Sequence, residues 1–180
     1  NFAIEKEFLN TFAKHYETGE DIPEEMIQRI VDASNFNVAY ACMRQVSFGL
    51  LDMAYYTLRE PLMDDIRTFE HAAWQEAQLL PQVETCCMST QFGHIMSGGY
   101  AAGYYSYKWA EVLDADAFDH FKALGVFSPE AAQAFRTNIL SRGSSEDPMT
   151  LYLRFRGKEP SINALLKRNG LMEANATANQ

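Results

Sequence analysis

No H-E-x-x-H occurs in these 180 residues, and the four histidines, His15, His71, His94 and His120, fall in separate segments with no pair at i and i+4. The common zinc-ligand patterns are therefore absent from the chain itself. There is no G-x-x-x-x-G-K-[ST]: Gly98-Gly99 is followed by no Gly-Lys pair and preceded by no clear strand. There is no G-x-S-x-G either, so neither a phosphate loop nor a nucleophile elbow is encoded. Cysteine is scarce. Cys42, Cys86 and Cys87 make an odd set with one adjacent pair, not a C-x-x-C, which is a poor disulfide framework and points to a reducing, cytoplasmic setting. Basic residues are also few, 15 Lys+Arg against 24 Asp+Glu for a net charge of −9. This argues against a main role on nucleic acid, because phosphate contacts need clustered cations. No apolar run approaches the ~20 residues of a membrane span, and no secretory signal is visible. Asn1 in place of a methionine fits a piece cut from something longer. Processing or a removed tag fits equally.

What is present reads as all-α. Hydrophobic residues make up 47% and charged residues 22%, ordinary for one globular domain with a sizeable core. Apolar spacing predicts a helix over 2–18, closed by Gly19. A second starts at Asp21-Ile22-Pro23-Glu24-Glu25, with Asp21 as its cap, and runs to about Ala33. A break with a new cap at Ser34 or Asn35 leads to a long helix over 37–59, whose middle, Val46 to Leu58, is apolar on most sides and expected deep in the core. Further helices are expected over 65–80, 100–113, 115–124, 129–142, 149–156 and 161–168. Residues 82–99 read as loop with room for a short strand. Trp74, Trp109, Phe48 and Phe69 are expected in the core. Residues 1–171 form one body, followed by a polar tail over 172–180 expected to be disordered.

The densest chemistry lies in Phe92 to Trp109, F-G-H-I-M-S-G-G-Y-A-A-G-Y-Y-S-Y-K-W. Tyr100, Tyr104 and Tyr107 stand at i, i+4 and i+7, which places three phenols on one helix face. Leu or Phe would fill a core with fewer demands, since each buried O–H needs a partner. Neutral Tyr and His donors suit an oxyanion, and Gly98 and Gly99 allow close approach of a substrate chain. Tyrosine at this spacing also serves interfacial packing. A second candidate is Arg142, beside Gly143 and the polar run Ser144 to Asp147, which could meet a substrate carboxylate. It could equally be a cation in the last turn of a helix capped by Gly143.

The segment F-x-H-I-x-x-G-G-Y-A-A-G-Y-Y-x-Y-x-W resembles the signature near the C-terminus of the thimet oligopeptidase and peptidyl-dipeptidase family of zinc metallopeptidases. The spacing between His94 and Gly98-Gly99-Tyr100 is that of the bacterial peptidyl-dipeptidase branch. Ala33-Ser34-Asn35-Phe36-Asn37, Leu50-Leu51-Asp52-Met53, Ile139 to Asp147 and Arg156 to Pro160 agree with it, in register over about residues 1–171. The resemblance implies the C-terminal segment of a zincin-type catalytic domain, neurolysin-like, built of helices around a deep channel. It implies Tyr107 and Tyr100 as donors to the tetrahedral intermediate, His94 in catalysis or substrate binding, and Tyr104 as a channel-lining residue. It implies a zinc cofactor in the full-length enzyme, held upstream, with none bound by this chain. Short peptides, with release of C-terminal dipeptides, are the implied substrates, and the missing N-terminal part of the same protein the implied partner. An isolated fragment is expected to be inactive and could cover exposed apolar surface by dimerising. The competing reading is a non-catalytic helical module that only binds peptides.

Overall fold

The computed structural model describes residues 1–172. Helices dominate them: α1 (Lys6–Leu9), α2 (Glu24–Ser34), α3 (Val38–Tyr56), α4 (Ile66–Trp74), α5 (Gly93–Met96), α6 (Ser106–Leu124), α7 (Pro129–Phe135), α8 (Pro148–Arg156) and α9 (Asn163–Arg168), with short 3₁₀ turns between some of them. The only strand-like pairing among the described residues is an isolated bridge between Lys14 and Asp21. The tail expected at 172–180 lies, from residue 173, outside the described residues.

Three helices start on a capping side chain. Asp65 accepts from the amides of Arg67 and Thr68, Ser128 from that of Ala131 ahead of Pro129, and Asp147 from that of Thr150 ahead of Pro148. These satisfy amides that have no partner within a helix. Other expectations need correcting. The helix expected over 2–18 stops at Leu9. The chain then folds back, with the His15 amide donating to the Glu20 carbonyl at 2.8 Å and the Ile22 amide to Ala13 at 3.1 Å. The His15 Nδ1 accepts from the amides of Glu17 and Thr18, and Gly19 takes φ +72° to close the turn. Asp21 does not cap α2. It ion-pairs with Lys14 across this turn. Neither Ser34 nor Asn35 caps α3; Asn37, at φ +58°, holds that position. The helices expected over 100–113 and 115–124 become one, α6, which starts at Ser106. Residues 136–140, expected as plain α-helix, form a π-helical turn after α7.

The described chain divides into two compact units: Asn1–Phe36 with the chain from Glu111 onward, and Asn37–Ala110. In the first, Phe2, Phe118, Phe121, Phe135 and Phe155 form an aromatic seam: Phe2 meets Phe118 and Phe121 edge-on, and Phe135 meets Phe121 and Phe155 edge-on, at centroid separations of 4.9 to 6.1 Å, while Phe121 and Phe155 are tilted at 6.2 Å. Beside it, Asp116, 2% exposed, accepts from the Tyr152 phenol at 2.7 Å and from Arg156 Nε at 2.9 Å. Burial and that carboxylate push the Tyr152 phenol well above its usual range.

The second unit is built on α3 and α4. Phe48, Leu51, Trp74, Phe92, Ile95 and Tyr104 form its core, with Phe69 packed against it. The middle of α3 is only half in that core. Phe48, Gly49, Leu51 and Asp52 are buried, whereas Val46, Met53 and Tyr56 lie on the exposed side, as does Trp109 of α6. Two carboxylates are fully enclosed in this unit. Glu70 of α4 is 0% exposed. It accepts from the amides of Met88 and Ser89, the Ser89 hydroxyl and the Gln82 side chain. Burial pushes its carboxyl upward, but these bonds together prevail and hold it below the usual carboxylate range. Asp52 of α3 is the other, and its partners belong to the site.

Candidate active site

Six of the seven residues singled out by sequence lie together in the second unit: His94, Gly98, Gly99, Tyr100, Tyr104 and Tyr107. Arg142 belongs to the first unit. There it approaches Glu146 at 3.8 Å, while Glu146 is gripped by both guanidinium nitrogens of Arg154, at 2.7 and 2.9 Å.

The three tyrosines do not share one helix face, because residues 100–105 form irregular turns and only Tyr107 lies within α6. They meet all the same. The Tyr100 and Tyr107 rings stack with centroids 5.1 Å apart. Tyr104 lies 5.2 Å from Tyr107, and the His94 ring lies 5.9 Å from Tyr100 and 6.0 Å from Tyr104. The turn brings them together through Ala102, which takes φ +55°, a conformation that costs an alanine on the order of 1 kcal/mol.

Exposure separates their roles. Tyr104 is 8% exposed, and its O–H reaches Gln45 Oε1 at 3.3 Å. Its ring packs edge-on against Phe48 and Phe92. Tyr100 and Tyr107 are 39% and 38% exposed, so their phenols are accessible from outside. The Tyr107 phenol is raised above its ordinary value, first by hydrogen bonding to the Tyr100 side chain, then by partial burial and the adjoining phenols. It therefore keeps its proton, and its capacity to donate, through neutral and mildly alkaline pH.

Gly98 and Gly99 differ. A Cβ at Gly98 would stand 2.8 Å from the His94 carbonyl oxygen, whereas one at Gly99 would meet nothing within 4 Å. Gly98 is what lets the chain turn tightly against α5, which carries His94. Ile95 is fully buried below, and its carbonyl accepts from the Tyr56 phenol of α3.

Sequence reasoning missed the residue that shapes the turn. Asp52 is 0% exposed. Its two carboxylate oxygens accept from the amides of Ala102 and Tyr104, each at 2.9 Å. An acid at the centre of an otherwise apolar helix was the available signal. Among the described residues no group of three or more His, Cys, Asp or Glu side chains is placed to hold a metal ion. No helix among them is long and apolar enough to cross a membrane.

The model of Peptidase family M3 matches residues 1–171. Oligopeptidase A of Haemophilus influenzae is 40% identical over 96% of this chain and 25% of its own length. Dipeptidyl carboxypeptidase of Escherichia coli is 39% identical over 95% of the chain and 25% of its own. Saccharolysin of Saccharomyces cerevisiae is 35% identical over 92% and 24%. The chain thus spans about a quarter of the length of the relatives it matches. Its helical architecture is that of the family's zincin-type fold. On a match that covers nearly all of it, the chain belongs to Peptidase family M3.

Proposed function

We propose that this chain is the oxyanion-binding portion of a zinc peptidase that hydrolyses short peptides, with Tyr107 and Tyr100 as the donors. The observation that carries this is the stacked, accessible pair of phenols beside the His94 ring. Each accessible phenol carries one O–H to donate. A neutral donor fixed before charge develops stabilises that charge without reorganising. His94 serves the same intermediate or holds the substrate beside it. Tyr104, anchored by Gln45, forms the wall behind Tyr107. Gly98 and Gly99 leave the approach to the phenols free of side chains.

The described residues offer no ligand set for zinc. In this reading the metal's Lewis acidity comes from the rest of the longer protein, and the chain alone has no activity. That remainder also covers exposed apolar side chains such as Trp109, Val46 and Met53; an isolated chain would cover them by pairing with a copy of itself. Arg142 is the candidate partner for a substrate's free carboxylate, its side chain half exposed and its contact with Glu146 long, at 3.8 Å. Release of C-terminal dipeptides is the cleavage mode that suits such a contact, and the spacing around Gly98-Gly99 favours it.

The test is Tyr107→Phe in the longer protein. Turnover should fall about 10²–10³-fold, with KM little changed. Wild-type turnover in that variant would overturn the donor assignment; no turnover in the unaltered longer protein would favour a module that only binds peptides. Mass spectrometry of the products fixes the mode: internal cleavage of peptides with blocked C-termini would retire dipeptide release and the role of Arg142.

A further inference from the structure

The loop that carries Tyr100 and Tyr104 has no regular hydrogen-bond ladder of its own, so something else must fix its shape. One face of α3 does so. Gln45, Phe48, Gly49 and Asp52 stand at i, i+3, i+4 and i+7, one stripe of a helix. Gln45 meets the Tyr104 phenol, Phe48 meets the Tyr104 ring edge-on at 5.8 Å, and Gly49 lies under Tyr105. Asp52 hydrogen-bonds the main chain. It is enclosed, both oxygens are occupied, and the two amides they hold flank Gly103. Between them they fix the left-handed turn at Ala102.

A carboxylate taken fully out of water is costly to place. Here charge-assisted bonds to two loop amides offset that cost, and such bonds are stronger than neutral ones. An asparagine could accept one of the amides but would turn an N–H₂ toward the other. Nothing in packing alone requires the acid, since Leu51 and Phe48 beside it fill the core.

We propose that Asp52 is a positioning residue for the proposed oxyanion donors: by gripping the amides of Ala102 and Tyr104 it sets where the Tyr100 and Tyr107 phenols point. It rests on the reading of those phenols as donors, and its consequence is that a residue of the core helix, with no access to substrate, governs turnover. A donor displaced by about 1 Å loses on the order of 10² in rate.

The experiment compares Asp52→Asn with wild type in the longer protein, reading two quantities. One is the split between kcat and KM. The other is the titration of the Tyr107 phenol, followed by NMR on tyrosine labelled at Cζ and assigned by its absence in Tyr107→Phe. Expected are an about 10²-fold fall in kcat with KM within about twofold, and a Tyr107 titration that moves down as the Tyr100 contact is lost. If the titration moves and turnover does not, Asp52 does hold the loop and the oxyanion reading fails instead. If Asp52→Asn folds, Tyr107→Phe is crippled, and neither kcat nor the titration changes, the positioning role is overturned. Should Asp52→Asn not fold, Ala102→Val decides. That side chain is exposed, so the substitution presses only on the left-handed backbone, and it should produce the same pair of changes. Neither change there overturns the proposal as well.

Discussion

Tyr100 and Tyr107 stack with their ring planes 21° apart, although irregular turns separate them in the chain. The Tyr107 phenol gains a hydrogen-bond partner and loses acidity. A raised phenol keeps its proton to higher pH than its ordinary value of about 10.

Tyr100→Phe removes the main cause of that shift, so Tyr107 should titrate at lower pH. In the longer protein the alkaline limb of the kcat profile should move the same way, since the donor is lost once the phenol ionises. A pH–rate series on wild type and Tyr100→Phe checks this; an unmoved limb would show that Tyr107 is not the titrating donor.

Glu70→Gln should destabilise the fold by about 1–3 kcal/mol at neutral pH, because the NH2 that replaces one oxygen faces either the Met88 amide or the Ser89 amide and leaves that donor unpaired. The wild-type contribution also depends on pH. The folded carboxyl is held below its unfolded value, so its stabilisation is present above about pH 4.3 and lost as the pH falls through the folded value. Urea midpoints measured from pH 7 to pH 3 should converge for the two proteins at the acid end.

His120 lies beside Arg156 Nη1, at 3.4 Å. Burial first, then the Arg156 charge, holds its imidazole below the usual value, against the pull of Asp116, Asp119 and Glu130. The unfolded chain therefore binds the proton more readily. Stability from this group is full above about pH 6.5 and declines as the pH falls through that value toward the folded one. Melting temperatures between pH 7.5 and 5 should fall less steeply in His120→Gln than in wild type.

Gly98→Ala and Gly99→Ala should separate cleanly. The first forces a methyl against the His94 carbonyl oxygen, an overpacking that costs about 1–3 kcal/mol. The second meets open space and should leave the melting temperature within a degree or two of wild type, by a cost of under about 0.5 kcal/mol. Equal melting temperatures for both variants would contradict the tight turn.

Helices with strong end signals were legible. Pro129, Pro148, Ser128, Asp65 and Asp147 mark their starts in sequence as they do in structure. Residues 2–18 misled because apolar side chains at three- and four-residue steps also arise when a chain doubles back, and the His15 imidazole that caps this turn has no sequence signature. The tyrosine cluster was found by its spacing, yet spacing alone mistook how it forms. A helix would line up Tyr100, Tyr104 and Tyr107 by periodicity, whereas here a left-handed alanine and a carboxylate fifty residues away do so. Asp52 and Glu70 were hidden because an acid's burial depends on amides supplied by distant segments. Trp109 was placed in the core on size alone, and is 47% exposed.

The grip of Asp52 on backbone rather than on side chains gives the loop an unusual freedom of composition. An amide is the same whichever residue bears it, so the clamp specifies a path and is indifferent to much of what is written along it. Ala101 and Tyr105, both exposed, are then positions that can be rewritten by engineering or by drift without redrawing the turn. The burden of keeping that turn falls on a single acid in α3.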